Sequence, residues 1–392
     1  MRLIYPDPNC VPDRTPSALQ ILQNVDAIGQ LGEHVSLITP RSRTGLTPKD
    51  VLGRPLPSNV SIDSIADLRR RWYFPSSSNK PFYFLAGRRI RRERNCVLLV
   101  RNLRMAEYLL KTGVTHPLFF ETHEVFAQTY REDHTHGNAA IRRKLKALTA
   151  REDFVYRHSR GLITITQSLA DAVRQCYQVD TPMWIAPDGV DEELATKSPQ
   201  FSPNATPVLL YLGSLHPWKG VELLIRMMPF VTGAILRIAG GIASRIADLR
   251  ALANQLKIAG RVEFLGPIEP IKRFEVIAQA DICLLPSSDS SIGSRFTSPL
   301  KLFEYLAMGK PIVAADLPAL REILQHNVTA LLTTVGDERK FAETINLLLT
   351  DAPLRSRLGT NAKELSHRYS WQARAIGILG FIRQHTAQPL LD

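Results

Sequence analysis

The sequence has no run of about 18 consecutive apolar residues, so no ordinary membrane-spanning helix is expected. Cysteine is scarce. Cys10, Cys96, Cys176 and Cys283 are scattered without a CxxC or a Cys/His ligand spacing, which argues against a disulfide frame or a zinc site and reads as reduced thiols. The patterns DxD, HExxH, GxSxG and GxxxxGK[ST] are all missing, so metal-dependent, zinc, serine-hydrolase and Walker-type chemistries find no support. There is no low-complexity tract. The opening run Met1–Tyr5 is cut short by Pro6-Asp7-Pro8, too soon for a signal peptide, and cytoplasmic residence is the default expectation. Acidic residues are the scarcer charge, 37 against 49 Lys and Arg, leaving a net +12. That balance favours anionic partners, whether nucleic acid, acidic lipid or phosphorylated substrates, and by itself does not choose among them.

What is present suggests two domains. The chain of 392 residues is long for one core, and domains of roughly 150 to 200 residues are the natural division. Apolar runs suited to buried strands recur between helical stretches at Arg2–Tyr5, Val35–Thr39, Cys96–Val100, Leu118–Glu121 and Gly161–Thr166. A second series comprises Val208–Gly213, Ala234–Ala239, Val262–Leu265, Asp281–Leu285, Pro311–Ala315 and Ala330–Thr333. This alternation predicts an α/β class protein with parallel sheets. Ser17–Leu31 reads as a helix with Ser17 as its cap and Gly32 as its stop. Residues 191–205, rich in proline and polar groups, read as a linker between a domain of residues 1–190 and one of residues 206–369. Trp371–Gln384 reads as a last helix, with residues 370–392 packing back on the first domain.

Three segments of the second half carry the features of an anion site. Ser298-Pro299 can start a short helix that Gly309 and Pro311 close, with Leu302, Phe303, Leu306 and Ala307 forming a buried stripe. Lys301 in its first turn opposes the helix dipole, a mismatch that a bound phosphate would relieve, whereas a plain surface pair of Lys301 with Glu304 is the simpler alternative. Gly213-Ser214-Leu215-His216-Pro217-Trp218-Lys219-Gly220 follows a strand and precedes a helical pattern, the outline of a phosphate-cradling loop. Gly240-Gly241 ends another strand, as where backbone meets a flat ligand or simply turns. In the first half, His123 beside Glu124 follows the strand ending at Glu121; it can be structural or can contact a reacting group. Asp7, Asn9, Arg14 and Ser17 border the exit of the first strand and would line one cleft together with His123.

Between Ile65 and Arg94 cations interleave with aromatics: Arg69, Arg70, Arg71, Trp72, Tyr73 and Phe74, then Phe82, Tyr83 and Phe84, then Arg88, Arg89, Arg91 and Arg92. Three uses fit this texture. Basic groups can meet acidic lipid while rings sit at headgroup level, the same mixture can bind single-stranded nucleic acid, or the aromatics can belong to the core of a solvated insertion.

Taken together, these segments resemble the retaining glycosyltransferases of family 4 (glycosyl transferases group 1). The resemblance rests on Tyr211–Leu215, Trp218-Lys219-Gly220, Val262–Gly266, Ala280–Ser287 and Ser298–Ala315, with Ala186–Val190 similar to the family's Asn-Gly-Val turn and Tyr369-Ser370-Trp371 similar to the start of its crossover helix. It implies a GT-B fold, two Rossmann-like domains facing each other across a cleft with a C-terminal crossover helix. It implies an enzyme that moves a hexose from a UDP- or GDP-linked donor to an acceptor hydroxyl with retention, without metal or other cofactor, in cell-envelope polysaccharide or glycolipid assembly. Catalytic roles would fall to His123, Lys219 and Glu304. Donor contacts would come from Gly213, Ser214, Lys219, Gly240, Gly241, Arg295, Thr297, Ser298, Pro299, Leu300, Lys301 and Glu304, and acceptor-side contacts from Asn9, Arg14 and Ser17. An anionic membrane surface would meet Arg69–Arg71 and Arg88–Arg92, placing the protein at the inner membrane face, with nucleic acid the less favoured partner. The chain departs from the family where the first glutamate of Glu-x7-Glu becomes Phe296 and where the arginine of Gly-Arg-Leu becomes Ser214, with Arg295 and Lys301 as nearby substitutes. A nucleotide-sugar epimerase, a non-catalytic family member and a nucleic-acid-binding protein are the alternatives.

Overall fold

The computed structural model describes residues 1–69, 77–134, 138–199 and 204–386. The chain divides into one unit of residues 1–187 plus the segment from Trp371 onward, and a second unit, Asp188–Ser370. The first holds a seven-stranded parallel sheet of β1 (Arg2–Pro6), β2 (His34–Pro40), β3 (Val60–Ile65), β4 (Val97–Val100), β5 (Leu118–Thr122), β6 (Gly161–Thr164) and β7 (Met183–Ile185), in the order β3-β2-β1-β4-β5-β6-β7. The second holds six, β8 (Val208–Leu212), β9 (Ile235–Ala239), β10 (Val262–Gly266), β11 (Ile282–Leu285), β12 (Ile312–Ala315) and β13 (Leu331–Thr333), in the order β10-β9-β8-β11-β12-β13. The pairings are parallel throughout both sheets.

Burial explains these sequences. Central strands such as β4 (Val-Leu-Leu-Val) and β11 (Ile-Cys-Leu-Leu) are buried at every position, so they are written as unbroken apolar runs. In the second unit the two sides of the sheet separate cleanly: Leu209 and Tyr211 pack into one core with Leu224, Ile238 and Phe341, while Leu210 and Leu212 pack into the other with Phe274, Phe303 and Tyr305. The edge strands β3 (Val-Ser-Ile-Asp-Ser-Ile) and β7 (Met-Trp-Ile) are only partly covered and carry no such run, which is why neither stands in the expected series. In each sheet the order reverses beside the first strand, between β1 and β4 and between β8 and β11. Ligands of open α/β sheets bind at the carboxyl ends of strands at such reversals.

The last helix, Trp371–Thr386, packs within the first unit. Phe381 lies edge-on to Phe119, 5.7 Å between centroids, and stacks on Trp184 at 6.3 Å. Gly161 makes room, since a Cβ there would stand 2.7 Å from the Phe381 ring. Burying such a phenylalanine is worth about 1.5–3 kcal/mol.

Three local expectations are corrected. Thr15, not Ser17, caps the Pro16–Gln30 helix, its Oγ1 accepting from the Ala18 amide. The expected linker begins with a helix, Glu192–Lys197, capped by Asp191, whose Leu194 and Ala195 pack against the second core. Ser298 does not cap the following helix, which runs Leu300–Ala307 with Pro299 at its N-cap position; the Ser298 hydroxyl instead accepts the Asp188 amide at 2.8 Å. Among the described residues no helix is long and apolar enough to cross a membrane.

Candidate functional site

At the reversal of the second sheet, the loop after β8 is locked to its neighbours by backbone contacts. The Gly213 amide donates to Ala239 O at 2.8 Å, and Tyr211 Oη donates to Ser214 O at 2.6 Å. Gly240, with φ +115°, abuts this loop so closely that an added Cβ would lie 2.2 Å from Gly213 O. Further along, a single turn of 3-10 helix, Pro217–Lys219, ends on Gly220 at φ +71°, where a Cβ would meet Pro286 O at 2.0 Å. Ser288 closes the gap from the β11 side, its amide and hydroxyl both donating to Trp218 O, at 3.0 and 3.1 Å. The loops flanking the reversal are thus tied to each other around Lys219. Gly241 lies against Leu215, where a side chain would fall 2.2 Å from Cδ1.

Two ammonium groups belong to this site. Lys219 Nζ stands 3.6 Å from the Trp218 ring centroid, and Lys301 Nζ stands 3.6 Å from the Tyr211 ring centroid and 3.4 Å from where a Gly213 Cβ would be. Neither forms an ion pair or hydrogen bond with a described residue. Aromatic faces hold a cation without cancelling its charge. Burial pushes the Lys219 amine down to about 7, and burial followed by the Lys219 charge holds Lys301 well below the ordinary lysine range. Two neighbouring amines with no direct ion pair, where Glu304 only partly offsets the burial of Lys301 and the charge of Lys219, are the electrostatic signature of a site completed by an anion.

The helix Leu300–Ala307 supplies Lys301 and Glu304, both buried, so they are not a solvent-facing pair. Glu304 Oε1 lies 2.5 Å from Arg273 Nε, and Arg273 Nη1 also donates to Pro270 O at 2.7 Å. Burial raises the Glu304 carboxyl above its ordinary value against the pull of Arg273. Tyr305, next on the helix, accepts the Leu212 amide at 2.9 Å and so fastens the helix to the end of β8. No side chain caps the helix start at Pro299 and Leu300. Thr297 and Phe296 are both buried. Arg295 turns back into its own loop, donating to Ser291 Oγ at 2.8 Å, with its guanidinium 5.5 Å from the Phe296 ring.

The reversal in the first unit opens a cavity of about 490 Å³. His123, Asp7, Asn9 and Arg101 line it, with Lys144 and Arg151 further round the wall. His123 Nε2 is 2.7 Å from Glu121 Oε1, and the same oxygen accepts from Arg374 Nη2 at 2.9 Å. Burial opposes ionisation of Glu121, yet Arg374, His123 and Arg101 outweigh it and hold the carboxyl well below its usual range. Burial and the Arg101 charge push the His123 imidazole down to about 4, so it is neutral at physiological pH. Burial raises the Asp7 and Glu124 carboxyls. Of the expected acceptor-side residues, Asn9 lines this cavity; Arg14 is exposed and Ser17 borders only the Thr15 cap, 3.4 Å between hydroxyls. Arg101 is the residue that sequence reasoning missed, although it follows β4 directly, as Asp7 follows β1.

In the basic and aromatic segment, Arg70, Arg71, Trp72, Tyr73 and Phe74 lie outside the described residues. Arg69 is a structural residue, paired with Asp67 at 2.8 Å and donating to Pro8 O and Asn79 Oδ1, both at 3.1 Å. Phe82 and Tyr83 are buried in the core, whereas Phe84 is 55% exposed. Arg89 pairs with Asp63 at 3.0 Å and Arg91 donates to Thr112 Oγ1 at 3.2 Å. Arg88 and Arg92 form no ion pair among the described residues.

Two Rossmann-like units, with a cationic glycine-lined site at one sheet reversal and a histidine-bearing cavity at the other, define a GT-B protein. Residues 206–351 match the family model for glycosyl transferases group 1, and the second unit belongs to that family. The chain is 30% identical over 249 residues to the D-inositol 3-phosphate glycosyltransferase of Stackebrandtia nassauensis, covering 58% of this chain and 55% of that protein. It is 26% identical over 197 residues to the phosphatidyl-myo-inositol mannosyltransferase of Mycobacterium leprae, covering 49% of this chain and 51% of that one. The chain thus spans about half the length of these curated relatives. The same fold occurs in the sucrose-phosphate synthase of Thermosynechococcus elongatus, with a TM-score of 0.79, 17% identity, and 98% and 99% of the two chains covered. It also occurs in Anabaena Alr3699/HepE in complex with UDP-glucose, with a TM-score of 0.73, 16% identity, and coverage of 98% and 100%.

Proposed function

We propose that the protein is a retaining glycosyltransferase that moves a hexose from a nucleoside diphosphate sugar to the hydroxyl of a phosphate-bearing acceptor in envelope glycolipid or polysaccharide assembly. The observation that carries this reading is the pair Lys219 and Lys301, each over an aromatic face and neither in an ion pair or hydrogen bond with a described residue, beside the glycine backbone of Gly213 and Gly240. Cleaving the donor leaves negative charge on the departing diphosphate, and preorganised cations in a site with little water stabilise that charge most effectively. The uncapped start of the Leu300–Ala307 helix adds amide dipoles of the same sense. Glu304, anchored by Arg273, is the residue we assign to the ribose hydroxyls. The nucleophile is the acceptor hydroxyl, attacking on the face from which the diphosphate leaves and passing its proton to the departing phosphate oxygen.

The acceptor side of the reading draws on the first unit. Its cavity combines neutral His123 with Arg101, Lys144 and Arg151, a setting for a hydroxyl compound that also carries phosphate. The relatives named for inositol 3-phosphate and phosphatidyl-myo-inositol fit the same chemistry. Phe84 with Arg88 and Arg92 would keep the protein on an acidic lipid surface.

The decisive experiment is a thermal-shift and calorimetric screen with UDP, GDP and ADP, followed by transfer assays with the sugar of whichever nucleotide binds. Binding to the folded state raises its apparent stability. Lys301→Met is expected to weaken nucleotide binding at least about tenfold, the loss of one charge-assisted contact. Absence of any nucleoside diphosphate binding by the wild-type chain would overturn the reading.

A further inference from the structure

Arg374 sits four residues into the last helix and 253 residues from Glu121 in sequence, yet the two side chains meet in the core of the first unit at 2.9 Å, with side-chain exposures of 3% and 4%. We propose that Arg374 is a positioning residue for His123: acting through Glu121, it fixes the imidazole as the Nε2–H tautomer and leaves Nδ1 as the acceptor nitrogen for a ligand hydroxyl in the cavity. The use made of that nitrogen rests on the transferase reading; the tautomer itself does not.

The argument begins with one shared atom. Glu121 Oε1 lies 2.7 Å from His123 Nε2 and also accepts from Arg374 Nη2, so histidine and arginine are coupled through a single oxygen. An ionised carboxylate only accepts hydrogen bonds. While Glu121 is ionised, the ring proton must therefore stay on Nε2. A carboxylic acid at the same place could donate to Nε2 instead, driving the ring proton to Nδ1 and removing the lone pair the cavity would use. Arg374 decides between these states because a buried carboxylate without a cation beside it is strongly disfavoured. Its own orientation is set from a second element, since Nη1 donates to Asn24 Oδ1 on the Pro16–Gln30 helix at 2.7 Å. The other charged or titratable groups around the pair are Arg101 after β4, Asp7 after β1, and Tyr5 on β1. Arg101 opposes protonation of the ring, which keeps the tautomer question relevant across the working pH range.

Nitrogen-15 histidine labelling of the full chain, with His123→Gln to assign the resonance, reads the tautomer directly. The wild type is expected to show neutral Nε2–H His123 from pH 7.5 down to about 5. In Arg374→Met the ring should shift towards the Nδ1–H form or titrate at higher pH, while Arg374→Lys should restore the wild-type spectrum. Transfer should follow, with kcat lower by roughly 10- to 100-fold in Arg374→Met and donor KM within about twofold. If Arg374→Met does not fold, Glu121→Gln, which keeps the shape of the side chain, carries the same readout. An unchanged tautomer, titration and kcat in the variant that folds would overturn the proposal and leave Arg374 a packing residue. A tautomer shift in a wild-type framework that transfers no sugar would instead overturn the transferase reading and leave the positioning role standing.

Discussion

Placing two lysine amines near each other over aromatic faces, Lys301 buried and Lys219 half-buried, lowers stability unless a ligand supplies negative charge. The sign of the pH dependence follows. A lysine in the unfolded chain keeps its proton to about pH 10, whereas folded Lys219 loses it near 7, so between these values the unfolded state binds more protons and the unliganded protein gains stability as pH rises. Nucleotide binding should run the other way. The bound diphosphate favours the charged amine, so UDP, or whichever nucleotide the screen selects, should bind with proton uptake and lose up to about tenfold in affinity per pH unit above 7. Calorimetry in buffers of different ionisation enthalpy measures this uptake, and a flat affinity from pH 6.5 to 9 would refute the assignment of these lysines. Lys219 could be singled out in the sequence because it follows its strand within one loop, and Lys301 with Glu304 because they share one short helix. Arg273 and Arg374 were not, because each meets its glutamate only through the fold.

At the scale of the element, the central strands were readable for the reason that makes them central: burial on both faces demands an unbroken apolar run. The edges β3 and β7, half-covered, leave no such trace. Helix starts were harder, since several hydroxyls compete at each. Thr15 wins at the first helix, and Thr15→Ala should cost about 1 kcal/mol in urea unfolding; an unchanged midpoint would show that this hydroxyl does not cap the helix. Ser298 was expected to cap a helix but bonds the Asp188 amide, which ties the start of the second unit to the helix that carries Lys301. Ser298→Ala should therefore destabilise the protein by about 1 kcal/mol and also weaken nucleotide binding; a loss of stability with unchanged binding would show that this tie does not set the position of Lys301. Gly240→Ala is a harsher test of the same element junction. With φ at +115° and Gly213 O 2.2 Å from the new methyl, the loop after β8 must shift, and nucleotide affinity should fall further than Lys301→Met alone produces.

For the whole molecule, composition and the strand series reveal two α/β halves, and the second half alone carries enough local motif to match a family over residues 206–351. The first half carries less, because its cavity is assembled from residues that follow separate strands, and the Glu121 that holds His123 is met by an arginine from the distant Trp371–Thr386 helix. The net charge of +12 has a local counterpart around the helix Lys80–Ile90, where exposed Phe84 lies one turn from Arg88 and exposed Arg92 follows in the turn beyond the helix end. Lysines and arginines near an acidic bilayer each contribute about 1 kcal/mol, and the contribution fades with screening. The protein is therefore expected to sediment with vesicles containing phosphatidylserine at low salt, not with neutral vesicles, and to be released near about 0.5 M salt. Removing two such arginines should weaken the association by about 2 kcal/mol, roughly 30-fold, and Arg88→Glu with Arg92→Glu should do at least that while leaving nucleotide binding in the second unit intact. Phe84→Ser should lower vesicle affinity without changing its salt dependence, because the ring contributes apolar burial and no charge. If the double charge reversal leaves vesicle binding unchanged, the lipid surface meets another part of the chain. If the wild type does not bind acidic vesicles at all, the charge serves its soluble anionic substrates instead.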